Sequence, residues 1–126
     1  MRAVVESVVL NGKVSPRNTV AIVGAGPIGL AALLTAQFYS PAEIIMIDLD
    51  DNRLEMAKRF GATSTVNSTD GKAEEMVMKM NGQRGVDTAI QAVGIPVTFD
   101  ISEKVVGARG TIADKARTSK TVSLRL

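Results

Sequence analysis

The sequence predicts an α/β fold, a doubly wound parallel sheet packed between two layers of helices in a three-layer α/β/α arrangement. Three observations carry that prediction. Short, nearly continuous apolar runs alternate with helical stretches of about ten residues, the pattern of strands buried on both faces and joined by covering helices. A glycine-rich turn, Gly24-Ala25-Gly26-Pro27-Ile28-Gly29, separates the first such strand from the first helix. An acid, Asp48, stands nineteen residues beyond Gly29, at the end of the second strand. A length of 126 residues with 45% hydrophobic content fits a single globular domain.

Residues 1–18 read as a lead-in. Within them residues 3–10 suit a short amphipathic helix stopped by Asn11-Gly12, followed by the polar connector Ser15-Pro16-Arg17-Asn18. Residues 19–126 form the predicted domain. Thr19-Val20-Ala21-Ile22-Val23 is a β-branched strand, and the alanine- and leucine-rich stretch 28–38 is a buried helix broken by Pro41. Residues 43–47 form a second apolar strand ending at Asp48, and residues 52–60 a helix stopped by Gly61. Asn52 and Glu55 have the spacing of a capping box for that helix. A short strand at Ser64-Thr65-Val66 precedes a helix over 72–80, with Asp70 as its cap and Asn81-Gly82 as its stop. Residues 86–93 make a further buried strand closed by Gly94, and Pro96 suits the first turn of a helix running to about Val106. Thr111-Ile112-Ala113 follows as the fifth strand.

Composition narrows the function classes. Fifteen lysines and arginines against thirteen acids leave a net charge of +2, too small for the field a nucleic-acid binder carries. With no cysteine and no histidine, thiolate chemistry, disulfides and a Cys/His zinc site are excluded. The first ten residues, broken by Glu6, suit neither a signal peptide nor a membrane span, so a cytoplasmic protein with no membrane partner is expected.

The turn matches G-x-G-x-x-G, in which the first glycine makes the tight turn, the second lets backbone approach a pyrophosphate, and the third allows close helix–strand packing. Because the turn opens a helix, backbone N–H groups and the positive end of the helix dipole face any anion resting there. Pro27 fits the first helical turn, where its missing N–H matters least. Asp48 is where a Rossmann domain holds the carboxylate that accepts hydrogen bonds from the adenosine ribose. Hydrogen bonds to a charged group contribute about 1.5–3 kcal/mol, a roughly ten- to hundredfold preference for a free 2′-hydroxyl. A 2′-phosphate would meet like charge, reinforced by Asp50 and Asp51, so NAD is expected over NADP. The plain alternatives are an ordinary turn at the glycines and a capping or solvated acid at Asp48. The chemical rival is a methyltransferase-like domain, against which the third glycine and the strand pattern weigh.

Val23-Gly24-Ala25-Gly26-Pro27-Ile28-Gly29-Leu30, Ile47-Asp48, and Asn52-Arg53-Leu54-Glu55-Met56-Ala57-Lys58-Arg59-Phe60-Gly61-Ala62-Thr63 together resemble the medium-chain dehydrogenase/reductase family, and within it the zinc alcohol dehydrogenases. The resemblance continues through Gly85-Val86-Asp87, Gln91-Ala92-Val93-Gly94 and Gly110-Thr111-Ile112-Ala113, covering residues 10–113. It implies the family's coenzyme domain, with strand order 3-2-1-4-5-6, and reversible hydride transfer between an alcohol and NAD(P). Carried over by position, it implies a pyrophosphate site at Gly24, Ala25, Gly26, Pro27, Ile28 and Gly29, a ribose contact at Asp48, and a second adenosine-side contact at Arg53. Val93 and Gly94 would flank the dinucleotide at the end of the fourth strand. For Arg53 the alternative is a solvated helix residue, and for Val93 ordinary core.

Two departures qualify the resemblance. The family's zinc ligands and substrate pocket belong mainly to a separate, preceding catalytic domain, and no cysteine or histidine is present here. After the fifth strand, where the family continues with small apolar residues, this chain has Asp114-Lys115-Ala116-Arg117. The expectation is therefore an NAD(H)-binding domain without its catalytic domain and not catalytic alone, with no catalytic residue and no metal ligand of its own. Tyr39 has no accompanying Tyr-x-x-x-Lys spacing. A non-catalytic nucleotide-sensing or interaction module is the alternative. The family's sixth strand is expected to be missing. The alternation in Thr121-Val122-Ser123-Leu124-Arg125-Leu126 suggests a half-buried strand that covers its own sheet edge or crosses to a second copy as a homodimer, a frayed terminus being the alternative.

Overall fold

A computed structural model describes residues 14, 17–93, 96–114 and 117–122. The lead-in helix expected over residues 3–10 lies outside the described residues. Six strands form one sheet: β1 (Thr19–Val23), β2 (Glu43–Asp48), β3 (Ser64–Asn67), β4 (Val86–Gln91), β5 (Val106–Asp114) and β6 (Arg117–Val122). Four helices, α1 (Pro27–Ala36), α2 (Asp51–Arg59), α3 (Ala73–Met80) and α4 (Pro96–Val105), connect the first five strands. The sheet order is β3-β2-β1-β4-β5-β6, and the first five strands pair in parallel.

The two-residue period of the strands divides the core into two layers. Val20, Ile22, Ile44 and Met46 face Ala32, Leu33 and Ala36 of α1 and Leu54 and Ala57 of α2. Ala21, Val23, Ile45 and Ile47 face Val77 of α3 and Val105 of α4 on the other side. This explains why β1 and β2 carry almost no polar residue: both faces of the central strands are buried. The winding reverses at β1, whose neighbours are β2 and β4, so α1 and α4 leave toward opposite layers. The reversal makes the carboxyl ends of β1 and β4 the switch point of the sheet, the place where open α/β sheets bind ligands.

The structure moves several element boundaries. The first helix ends at Ala36 and tightens into a 3₁₀ turn, Gln37–Tyr39. There the Gln37 amide donates to the carbonyls of Leu33 (3.2 Å) and Phe60 (2.7 Å), tying the end of α1 to the end of α2. The expected Asn52–Glu55 capping box is corrected: Asp50 is the cap of α2, in extended backbone, and accepts from the Asn52 N–H at 2.8 Å. Asp70 accepts from the Lys72 N–H at 3.0 Å, so it shapes the turn just ahead of α3 rather than occupying the cap position itself. The fourth strand closes at Gln91, two residues early. The fifth is longer than expected and bulges, Val86 facing Val106 while Thr88 faces Thr111.

The last strand is not the parallel sixth strand of the family's order, the one expected to be missing. β6 is present and runs antiparallel to β5, with Asp114 opposite Arg117. A parallel crossover needs a dozen or more residues, whereas only two separate these strands, so the chain can only turn back on itself. The reversal covers the edge of β5, the first of the two roles expected of the tail. Thr121 and Val122 belong to this strand; residues 123–126 lie outside the described residues.

Leu33 is fully buried and its neighbour Leu34 is half exposed, which gives a matched test of the layered core. Leu33→Ala is expected to lower unfolding stability by about 2–5 kcal/mol, and Leu34→Ala by less than about 0.5 kcal/mol, in urea titrations followed by circular dichroism. Equal losses would contradict the packing of α1 described above.

Candidate functional site

The glycine turn is held from both sides at the switch point of the sheet. The Gly24 N–H donates to the Ile47 carbonyl of β2 at 2.7 Å, and the Ala92 N–H donates to the Val23 carbonyl at 3.0 Å, linking the turn to the end of β4. Gly24 has φ +108°, a conformation side chains rarely adopt, and a side chain there would overlap the Val93 methyl. Gly29 needs its glycine for a different reason: a Cβ would overlap the carbonyl oxygen of Gly24, so α1 meets the strand end at backbone distance. Gly26 is unlike either. It caps α1 in extended backbone with no side-chain cap, and open space lies where its Cβ would stand. Pro27 occupies the first helical turn, Ala25 is buried, and Ile28 is partly buried against the core.

First-turn N–H groups have no partner within a helix, and here no side chain caps them. The turn can therefore receive an anionic group at Gly26, where the backbone is uncovered. Val93, 40% exposed, lies against Gly24 at the side of this opening. Gly94 lies outside the described residues.

Asp48 stands at the end of β2, the strand bonded to the turn. Its side chain is 12% exposed, and its Oδ2 is buried without a hydrogen-bond partner among the described residues. The nearest cation, the Arg53 guanidinium on α2, is 3.9 Å from that oxygen, too far for a hydrogen bond. Arg53 itself is more than half exposed. An unsatisfied buried acceptor costs about 1–3 kcal/mol, more when charged, and in native structures marks a place where a partner is missing. This oxygen is free to accept a hydrogen bond from any N–H or O–H donor that reaches it.

Sequence reasoning treated Asp50 and Asp51 as further charge at the site, whereas both are engaged locally. Asp50 caps α2, and Asp51 accepts from the Asn67 amide at 2.8 Å. Asn67, at the end of β3, was missed, because an asparagine closing a short strand carries no signal of its own in sequence. The structure thus brings together Gly24, Ala25, Gly26, Pro27, Ile28, Gly29 and Val93 around the opening, and Asp48 with Arg53 beside it. A zinc ion does not fit this set: the chain has no cysteine or histidine, and among the described residues no three acids cluster as ligands.

Comparison with known proteins bears on the same elements. Residues 27–122 match the zinc-binding dehydrogenase family. An alcohol dehydrogenase of Cupriavidus necator is 36% identical over 92% of this chain and 32% of its own length. The NADP-dependent isopropanol dehydrogenase of Thermoanaerobacter brockii is 38% identical over 76% of the chain and 27% of its length. Among solved structures, the zinc-dependent alcohol dehydrogenase 2 from Streptococcus pneumonia, in its apo form, superposes with a TM-score of 0.86 at 54% identity, covering 98% of this chain and 37% of that one. The chain spans about a third of the length of the curated relatives it matches.

The turn makes a prediction about its own glycines. Gly26→Ala should leave stability within about 0.5 kcal/mol of the parent, since its methyl enters open space. Gly29→Ala should cost at least about 2 kcal/mol through overlap with backbone that cannot yield. Thermal melts of the two variants side by side check this, and a reversed order would refute the turn geometry.

Proposed function

The chain belongs to the zinc-binding dehydrogenase family, and from that premise we propose that it is the nicotinamide-dinucleotide-holding domain of an alcohol-dehydrogenase-like oxidoreductase, with NAD(H) favoured over NADP(H). The observation that carries the cofactor reading is the Oδ2 of Asp48, buried with no hydrogen-bond partner among the described residues, beside an uncapped glycine turn. When bound, the dinucleotide supplies hydride exchange at its nicotinamide ring.

In this reading Gly26 and the first turn of α1 receive the pyrophosphate, and Gly24 and Gly29 let the backbone come close enough to do so. Asp48 accepts from the adenosine ribose hydroxyls, and Arg53 lies on the adenosine side. Val93 and Gly94 flank the dinucleotide near the end of β4. The family alone does not decide the cofactor, since one relative is by name NADP-dependent. The argument for NAD(H) is local: a 2′-phosphate would bring charge against a carboxylate that is already poorly solvated.

Residues 19–126 act as a cofactor domain that is not catalytic alone, because the chain has no cysteine or histidine from which the family's catalytic zinc site is built. Substrate chemistry belongs to a catalytic domain outside this sequence. The want of cysteine and histidine also favours a second reading, a non-catalytic nucleotide-sensing or interaction module, which keeps the same dinucleotide site. Assembly is part of the proposal: among the described residues the outer edge of β6 has no partner strand, which favours a homodimer joined through that edge. Light scattering of the full chain is expected to give the mass of a dimer; a monomer at every concentration contradicts this assembly.

Calorimetric titration with NADH, NADPH and S-adenosylmethionine in parallel tests the cofactor. NADH should bind in the range of ~100 μM to millimolar, at least about tenfold more tightly than NADPH. S-adenosylmethionine should give no binding heat. Asp48→Gly should shrink the gap between the two dinucleotides. Equal affinities in the parent chain would defeat the assignment.

A further inference from the structure

The carboxylate of Asp48 is useful to a ligand only if the loop that carries it is held, and one side chain outside the turn does the holding. Asn67 ends β3, the strand paired with β2, with Asp48 directly opposite. Its Nδ2 donates to the Leu49 carbonyl at 3.1 Å and to the Asp51 carboxylate at 2.8 Å, gripping the chain on both sides of Asp50. Its Oδ1 accepts from the Thr69 N–H at 2.8 Å and also from the Thr69 hydroxyl. That backbone donor fixes which way round the amide lies, so both Nδ2 hydrogens are committed to the loop after β2. The Ser68 N–H donates to the Asp48 carbonyl at 3.0 Å, closing the link between the two loops.

This network disposes of the neighbouring acids as well. Asp51 is turned to Asn67 and Asp50 to the Asn52 N–H, whereas the Oδ2 of Asp48 is buried with no hydrogen-bond partner among the described residues. We infer that Asn67 is a positioning residue for dinucleotide selectivity: by clamping Leu49 and Asp51 it holds the Asp48 carboxylate where ribose hydroxyls reach it and keeps the adjacent acids occupied. The inference rests on the NAD(H) reading above and adds to it the residue that sets the recognition geometry. Thr69 orients the clamp and acts at one further remove.

The test uses the full chain and the variants Asn67→Ala and Thr69→Val, the second a near-isosteric change that spares the fold. Amide hydrogen exchange on ligand-free protein reads the clamp itself. Protection at Asn52 and Ser68 should fall by about tenfold in Asn67→Ala while that of β1 is unchanged, since only a local opening is released. Titration reads the consequence. The NADH dissociation constant should rise about fivefold, the worth of roughly one hydrogen bond, with that of NADPH unchanged. In an Asp48→Ala background Asn67→Ala should then have no further effect, because it acts through Asp48. Thr69→Val should show the same pattern at smaller size.

Unchanged protection in Asn67→Ala, or equal losses of NADH and NADPH affinity, would overturn the clamp. A parent chain that does not prefer NADH would instead strike the cofactor reading, and the exchange measurement, made without ligand, keeps the two failures apart.

Discussion

At the turn between β1 and α1 the carbonyl oxygen of Gly24 lies where a side chain on Gly29 would stand, so helix and strand meet at backbone distance. Close-packed backbone of this kind cannot slide, and the rest of the site takes its position from it. The turn is bonded to β2 through the Gly24 N–H and to the end of β4 through the Val23 carbonyl. Since β2 carries Asp48 at its end, the spacing between Gly26 and Asp48 is set by sheet geometry rather than by loop flexibility.

Much of this was legible in the residues. The central strands announce themselves because burial on both faces demands continuous apolar sequence, as in Val20-Ala21-Ile22-Val23 and Ile44-Ile45-Met46-Ile47. The glycine turn is legible because its steric demands admit few other residues. Helix caps were read less well: Asn52 and Asp50 are both good cap residues, and only the backbone geometry at Asp50 decides between them. β6 was legible only at its end, Thr121-Val122, for a different reason. Its polar sequence, Arg117-Thr118-Ser119-Lys120, shows little burial pattern, and its pairing depends on the tight reversal from β5 rather than on any propensity of its own. Asn67 was invisible because its importance lies in what β2 brings beside it.

The acids after β2 show how position divides labour among like residues. Asp48, Asp50 and Asp51 look interchangeable as charge, yet one caps a helix, one answers an amide across two loops, and one is left buried without a hydrogen bond. A folded chain tolerates such an oxygen only where the surrounding structure is strong enough to hold it. The Arg53 guanidinium, at 3.9 Å, answers its charge without making a hydrogen bond.

The central claim is that this oxygen is kept for a sugar hydroxyl of a dinucleotide whose pyrophosphate rests on Gly26. A crystal structure of the chain with ADP-ribose, which carries the adenosine and pyrophosphate without the nicotinamide, tests it most directly. The account predicts an adenosine ribose hydroxyl within hydrogen-bond distance of Asp48 Oδ2, about 2.5–3.0 Å, with phosphate oxygens against the backbone of Gly26 and the first turn of α1. A ligand bound elsewhere, or bound at the turn with Asp48 Oδ2 still unpartnered, would contradict it.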